Sequence, residues 1–169
     1  MRYIVITCFI VLSNLFGHPH TFIDVYPTMV EKDGYVKQLN MRWLIDDMTS
    51  SMLIMEFDQN GNGKIDPNEN TYIKDNYFNS LKDYGYYTDL PCEYTISDFQ
   101  ANIIQNRIEY NFSIIPTKKI KVKNFQIKFY DEDFFVAMQL KEEFISQKIP
   151  HIVKELDGDW FFGYILIYK

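Results

Sequence analysis

Residues 35–45 alternate between apolar and polar positions. Leu39, Met41, Trp43 and Ile45 share one parity, and Gln38, Asn40, Arg42 and Leu44 share the other. A period of two places each set on one face of a strand. Residues 21–30 are rich in β-formers, and Asp33-Gly34 between the two stretches is a turn signal. The pattern predicts a β-hairpin with one buried face.

The period lengthens at Asp46. Met48, Met52, Ile54, Met55 and Phe57 fit the apolar face of a short helix. A polar, glycine-bearing loop follows. A second helix is expected from Pro67 to about Leu81, with Tyr72, Ile73, Asn76, Tyr77 and Leu81 at helical spacing. The β pattern returns after Gly85, with candidate strands at 86–90, 94–103, 108–115, 119–130 and 134–140. In the fourth, Ile120 and Val122 hold one parity while Phe125, Ile127 and Phe129 hold the other. A bulge near Asn124 accounts for that shift. Asp157-Gly158 marks a last turn before a buried strand at 160–168. The expected fold class is mainly β: an antiparallel β-sandwich with an inserted helix-loop-helix of EF-hand type at about 46–81.

The first residues do not join this pattern. Arg2 precedes an apolar run, residues 3–12, that is too short to span a bilayer. A basic start followed by a short apolar run reads as a secretory signal peptide. Cleavage after Gly17 leaves His18 as the first residue of a single domain, 18–169; cleavage after Ser13 is the rival. The expected location is exported and periplasmic, with no membrane span after signal removal. Cys8 leaves with the signal, so Cys92 has no partner for an intramolecular disulfide. With 23 acidic and 17 basic residues the chain carries a net charge of -6, which argues against a general nucleic-acid binder.

Candidate chemistry lies in two places. The first is the run DQNGNGKIDPNE at 58–69. Calcium takes about seven oxygen ligands at relaxed angles. Asp58, Asn60 and Asn62 stand at loop positions 1, 3 and 5 with side-chain oxygens. Gly63 allows the sharp turn, and Lys64 contributes its carbonyl. Ile65 anchors the loop, Asp66 binds directly or through water, and Glu69 gives two oxygens. Asp66, Pro67 and Glu69 also suit the start of a helix. The alternative is a surface loop closed by a capping box. No second such loop is present, which favours a structural clamp over a sensor.

The second place is His18-Pro19-His20. A free amine and imidazole on His18 form a chelating pair, and His20 is about 6.6 Å further along an extended chain. Pro19 has no N–H, so the copper mode that uses deprotonated backbone amides is ruled out. Asp24 shares the parity of His20 and is a further candidate, as ligand or as acceptor for an imidazole. Imidazole suits zinc, copper, nickel and cobalt. The alternative is a polar stretch that clears the signal peptidase. The acidic run Asp131-Glu132-Asp133 is expected to be a solvated turn, and His151 a surface residue.

These features resemble a family of bacterial periplasmic proteins of unknown function, often labelled the periplasmic component of an uncharacterised ABC-type transport system. The residues that carry the resemblance are His18-Pro19-His20, Phe22, Asp24, Trp43, Asp46 and the loop from Asp58. Asn79, Leu81, Tyr84, Tyr87, Thr88, Tyr130-Asp131, Phe135 and Val136 extend it. Ile45 and Asp47 depart from it, standing where Phe and Glu are more usual. The resemblance implies export and a role beside a nickel/cobalt permease of the inner membrane, with His18 and His20 contacting metal. The functional expectation is therefore an exported calcium-binding protein that assists nickel, cobalt or zinc handling. The rival is a calcium-stabilised envelope interaction module. No nucleophile or metalloprotease motif supports an enzyme.

Overall fold

A computed structural model describes residues 19–146, 148–157 and 162–169, apart from the side chains of Asp157 and Phe162. The expected signal peptide, His18 and the turn at Gly158 lie outside the described residues. The fold is mainly β, with two sheets. In chain order the elements are β1 (Thr21–Lys32), β2 (Tyr35–Ile45), α1 (Asp47–Phe57), α2 (Pro67–Ile73), β3 (Thr88–Asp89), β4 (Tyr94–Ile104), β5 (Arg107–Pro116), β6 (Ile120–Lys121), β7 (Gln126–Tyr130), β8 (Val136–Gln139), β9 (His151–Asp157) and β10 (Phe162–Tyr168).

The first sheet runs β4-β5-β2-β1-β8, with β6 pairing β2 at the far end of that strand; the second runs β3-β7-β10-β9. The expected β1–β2 hairpin forms, with Val25 opposite Trp43 and Ile23 opposite Ile45. Leu39, Met41, Trp43 and Ile45 are all buried, as the alternation requires. One pair departs from an antiparallel architecture. β8 joins β1 in parallel, Thr21 opposite Val136. The chain reaches β8 from β7 in the other sheet, so it can add to the free edge of β1 in the same direction.

The parity shift at Asn124 has a different cause from a bulge. β6 belongs to the first sheet and β7 to the second. Asn124 lies between them at φ 65°, and the chain changes sheets there. Ile120 and Phe125 therefore obey separate alternations. β9, which sequence patterning missed, forms an edge of the second sheet with His151 opposite Tyr168. On β10, Gly163 passes so close to β7 that a Cβ would lie 2.4 Å from the Phe129 carbonyl oxygen. Only glycine fits that approach.

The helical segment also differs from expectation. α2 ends at Ile73 and continues as a π-helical turn, Lys74–Phe78, then 3₁₀ turns through Asn79–Tyr87. Gly85, Tyr86 and Tyr87 all adopt positive φ, which stops the helix before β3. Phe78 is buried, whereas Asn76 is exposed. Among the described residues, no helix is long and apolar enough to cross a membrane.

On α1 the inward face carries Ser50, Leu53, Ile54 and Phe57, with Ser50 and Phe57 fully buried. Met48, Met52 and Met55, expected on the apolar inner face, point the other way and are 68%, 56% and 79% exposed. At 3.6 residues per turn the two sets stand about 180° apart. Ser50 decides which one faces inward. Its hydroxyl donates to the Ile45 carbonyl at 3.0 Å and accepts the Ile108 N–H at 2.9 Å. It thereby ties α1 to the end of β2 and the start of β5. Arg107 completes the corner: its guanidinium donates to the carbonyls of Ile45 at 2.6 Å and Leu44 at 3.1 Å. Ser50→Ala removes the acceptor of a buried amide, and is expected to cost about 1–3 kcal/mol in a urea unfolding titration.

Candidate metal centre

Asp46 sets where α1 begins. One carboxylate oxygen accepts the Thr49 N–H at 2.9 Å, as an N-cap should, and the other accepts the Phe22 N–H of β1 at 2.9 Å. Burial pushes the Asp46 carboxyl up, but the amide donors outweigh it and hold it below its ordinary value. α1 closes where the Asp58 N–H reaches the Ile54 carbonyl at 3.0 Å. The loop that follows is therefore anchored at a fixed point relative to the first sheet.

Within the loop the predicted ligand side chains come together. Asp58 accepts the N–H of Asn62 at 3.0 Å and of Gly63 at 2.8 Å, one with each carboxylate oxygen. The Asn60 amide oxygen accepts the same Asn62 N–H at 3.0 Å, and the Asn62 amide oxygen accepts Lys64 N–H at 2.8 Å. Both asparagine NH₂ groups donate to one oxygen of Asp66, at 2.7 and 3.2 Å. Gly61 and Gly63 adopt φ 70° and 76°, angles that let the backbone turn this tightly. The Lys64 side chain is exposed, and Ile65 packs against the core.

Glu69 faces the loop from the first turn of α2 and is only 5% exposed. One oxygen accepts the N–H of Gln59 at 2.9 Å and of Asn60 at 3.4 Å. The other accepts Asp66 N–H at 2.8 Å, the reciprocal contact of a capping box. Asp58, Asn60, Asn62 and Asp66 are thus linked within one hydrogen-bonded loop, and Glu69 is joined to it through backbone amides. That donor set fits a hard cation such as calcium, which accepts amides and backbone carbonyls as readily as carboxylates. Among the described residues no group of three His, Cys, Asp or Glu is gathered for a metal. Asp58, Asp66 and Glu69 are therefore held by the loop's amides and do not form a shared carboxylate cluster.

The histidine candidates are arranged differently. His18 lies outside the described residues. His20 stands just before β1, its ring stacked on Phe135 at a centroid distance of 6.4 Å. Its backbone N–H donates to the Phe135 carbonyl at 2.9 Å. Asp24 shares the strand parity of His20, but its carboxylate pairs with Arg107 at 3.2 Å. Arg107 thus takes the role expected of an imidazole or a metal. Nothing in the sequence spacing marked this pair, which joins residues 83 positions apart.

Two further expectations are corrected. Asp131 is 4% exposed and accepts the N–H groups of Asp133, Phe135 and Val136, so it organises the turn into β8 rather than decorating a solvated one. His151 is largely buried on β9, with Nδ1 2.7 Å from the Ile149 carbonyl and Nε2 3.1 Å from Glu142. Cys92 is free and half-buried, and its thiol donates to the Glu93 carbonyl.

The model of a family described as "Protein of unknown function (DUF1007)" matches residues 3–151. The chain belongs to this family. An uncharacterized 15.5 kDa protein in the trpE 3'region of Spirochaeta aurantia is 32% identical over 113 residues, which are 63% of this chain and 77% of that one. An uncharacterized protein of Haemophilus influenzae is 24% identical over 136 residues, which are 74% of this chain and 64% of that one. No solved structure matches the chain.

The hydrogen bonds of this DUF1007 member yield two predictions. Asp46→Ala is expected to cost about 0.5–2 kcal/mol at neutral pH. Because the Asp46 carboxyl is held below its ordinary value, its contribution is complete above the unfolded pKa of about 4 and is lost as pH falls through the folded one. The difference in urea midpoint between wild type and variant should therefore shrink on acidification. Glu69→Ala should lower stability by about 1–3 kcal/mol even in chelator, because it strands the amides of Gln59, Asn60 and Asp66. Circular dichroism melts in chelator check this.

Proposed function

We propose that residues 58–69 form an EF-hand-like calcium site in an exported, periplasmic protein. The helix-loop-helix is an insertion in a β-sandwich built from the two sheets. The observation that supports this reading is the hydrogen-bonded loop that holds Asp58, Asn60, Asn62 and Asp66 together, with Glu69 bonded back to it from α2. Lys64 adds its carbonyl. Calcium would replace the two asparagine NH₂ groups as the partner of Asp66, and it would fix α1 and α2 on either side of the loop. This is a clamp: the ion stabilises the seat of both helices rather than signalling. With only three carboxylates, the site belongs at the weak end of the range, with a Kd of roughly 10⁻⁴–10⁻³ M, which suits extracellular calcium.

We further propose that the protein assists nickel, cobalt or zinc handling beside an inner-membrane permease, with His18 and His20 at the mature N-terminus as the contacting residues. The engagement of Asp24 by Arg107 favours the second reading at one point. It removes a ligand from the histidine set, which leaves the calcium-stabilised interaction module as the rival. No catalytic role is proposed.

Calcium calorimetry and thermal melts test the clamp. At 100-fold excess over Kd, calcium should stabilise the fold by about 2.7 kcal/mol. Asp58→Asn combined with Glu69→Gln should abolish both the heat and the stabilisation. An unchanged melting temperature on calcium addition sinks the clamp. For the histidines, nickel and zinc binding by the processed protein should weaken sharply in the His18→Ala/His20→Ala variant; equal binding favours the rival.

A further inference from the structure

The outer face of α1 carries a second candidate site. Met29, Met41 and Met138 are each 2% exposed, whereas Met48, Met52 and Met55 are 68%, 56% and 79% exposed. Among the described residues the thioethers thus divide into a core set and a displayed set, and the displayed set lies on a single helix. The spacing i, i+4, i+7 confines the three to roughly 60° of arc, about 6 Å and then about 4.5 Å apart along the axis. Methionine is unbranched with three rotatable bonds, so sulfurs at these stations can swing together. The helix itself is held rigidly by Asp46 and Ser50, which leaves the displayed face fixed in direction.

The chemistry of the stripe is narrower than its hydrophobicity. Leucine, isoleucine or phenylalanine would serve an apolar contact as well, and all three positions carry sulfur instead. Thioether sulfur selects soft cations, copper(I) above all. α1 has no basic residue of its own; exposed Asp47 and Glu56 flank the stripe, Asp47 paired with Arg107 and Glu56 accepting the hydroxyls of Tyr72 and Tyr77. A protein interface engages roughly 20–30 residues a side, and this stripe offers three.

We infer that Met48, Met52 and Met55 form a thioether site for monovalent copper, or for its chemical equivalent silver(I). The site is separate from the oxygen loop at 58–69 and does not depend on the calcium reading, because a soft monovalent ion has little affinity for carboxylate and amide oxygens.

The full chain, titrated anaerobically with copper(I) against a chromogenic copper(I) chelator, provides the test. One equivalent should be withdrawn from the chelator. With silver(I) and methyl-labelled methionine, only the three methyl signals of Met48, Met52 and Met55 should shift. Met48→Leu/Met52→Leu/Met55→Leu keeps an apolar, helix-forming surface, so it should fold normally and respond to calcium unchanged. Its copper(I) affinity should fall at least 100-fold. Cys92→Ser and added EGTA should leave copper(I) binding intact. Retained binding in the triple leucine variant, shifts at the core methionines instead, or no copper(I) uptake by the wild type overturns the inference. The last result overturns it even if the stripe captures a protein partner. A failed calcium titration alone leaves it standing.

Discussion

The corner where β2 turns into α1 fixes the geometry of everything that follows. The Ile45 carbonyl, the last acceptor of a central strand, receives both the Ser50 hydroxyl and the Arg107 guanidinium. Asp46 beside it caps the helix and holds β1 through Phe22, whose carbonyl accepts the Asp46 N–H in return. Arg107 also reaches Asp24 on β1 and Asp47 on α1. Three strands and a helix thus meet through groups that leave few alternatives, since a buried polar atom without a partner costs more than the bond itself contributes. The rotation of α1 is settled here. So are the direction of its methionines and the position from which the loop at Asp58 starts.

In the proposed calcium reading, one set of loop oxygens would have two uses. The carboxylates of Asp58 and Glu69 accept backbone amides, which shape the turn. Under that reading an ion would share these oxygens with the amides. Bonds that must be shared would lower the net gain from binding. The expected outcome is a modest affinity, which is the regime that abundant extracellular calcium tolerates.

Much of the fold was legible in the sequence because period-two alternation follows directly from pleating. β2 is the clearest instance: Leu39 to Ile45 bury as their parity requires. The capping box at the start of α2 was legible too, because Asp66, Pro67 and Glu69 are a local signal. The failures share a physical cause, which is that long-range partners leave no local mark. The parity of Phe125 breaks because the chain changes sheets at Asn124, and alternation cannot tell that from a bulge. The methionines of α1 look like core residues until Ser50, a small polar residue, claims the inner face. Asp24 looks like a ligand until Arg107 arrives from β5. A serine inside an apolar helix pattern was the one local clue, since a buried hydroxyl must have a partner.

Glu69 bears on how relatives of this chain should be compared. Its carboxylate is buried and already satisfies three amides. Folding alone would keep an acidic residue at this position, with or without a bound ion. Asn60 and Asn62 sit exposed at the mouth of the loop, under weaker architectural constraint. In the proposed calcium reading, drift at those two positions, more than retention of the glutamate, would mark relatives that do not bind the ion.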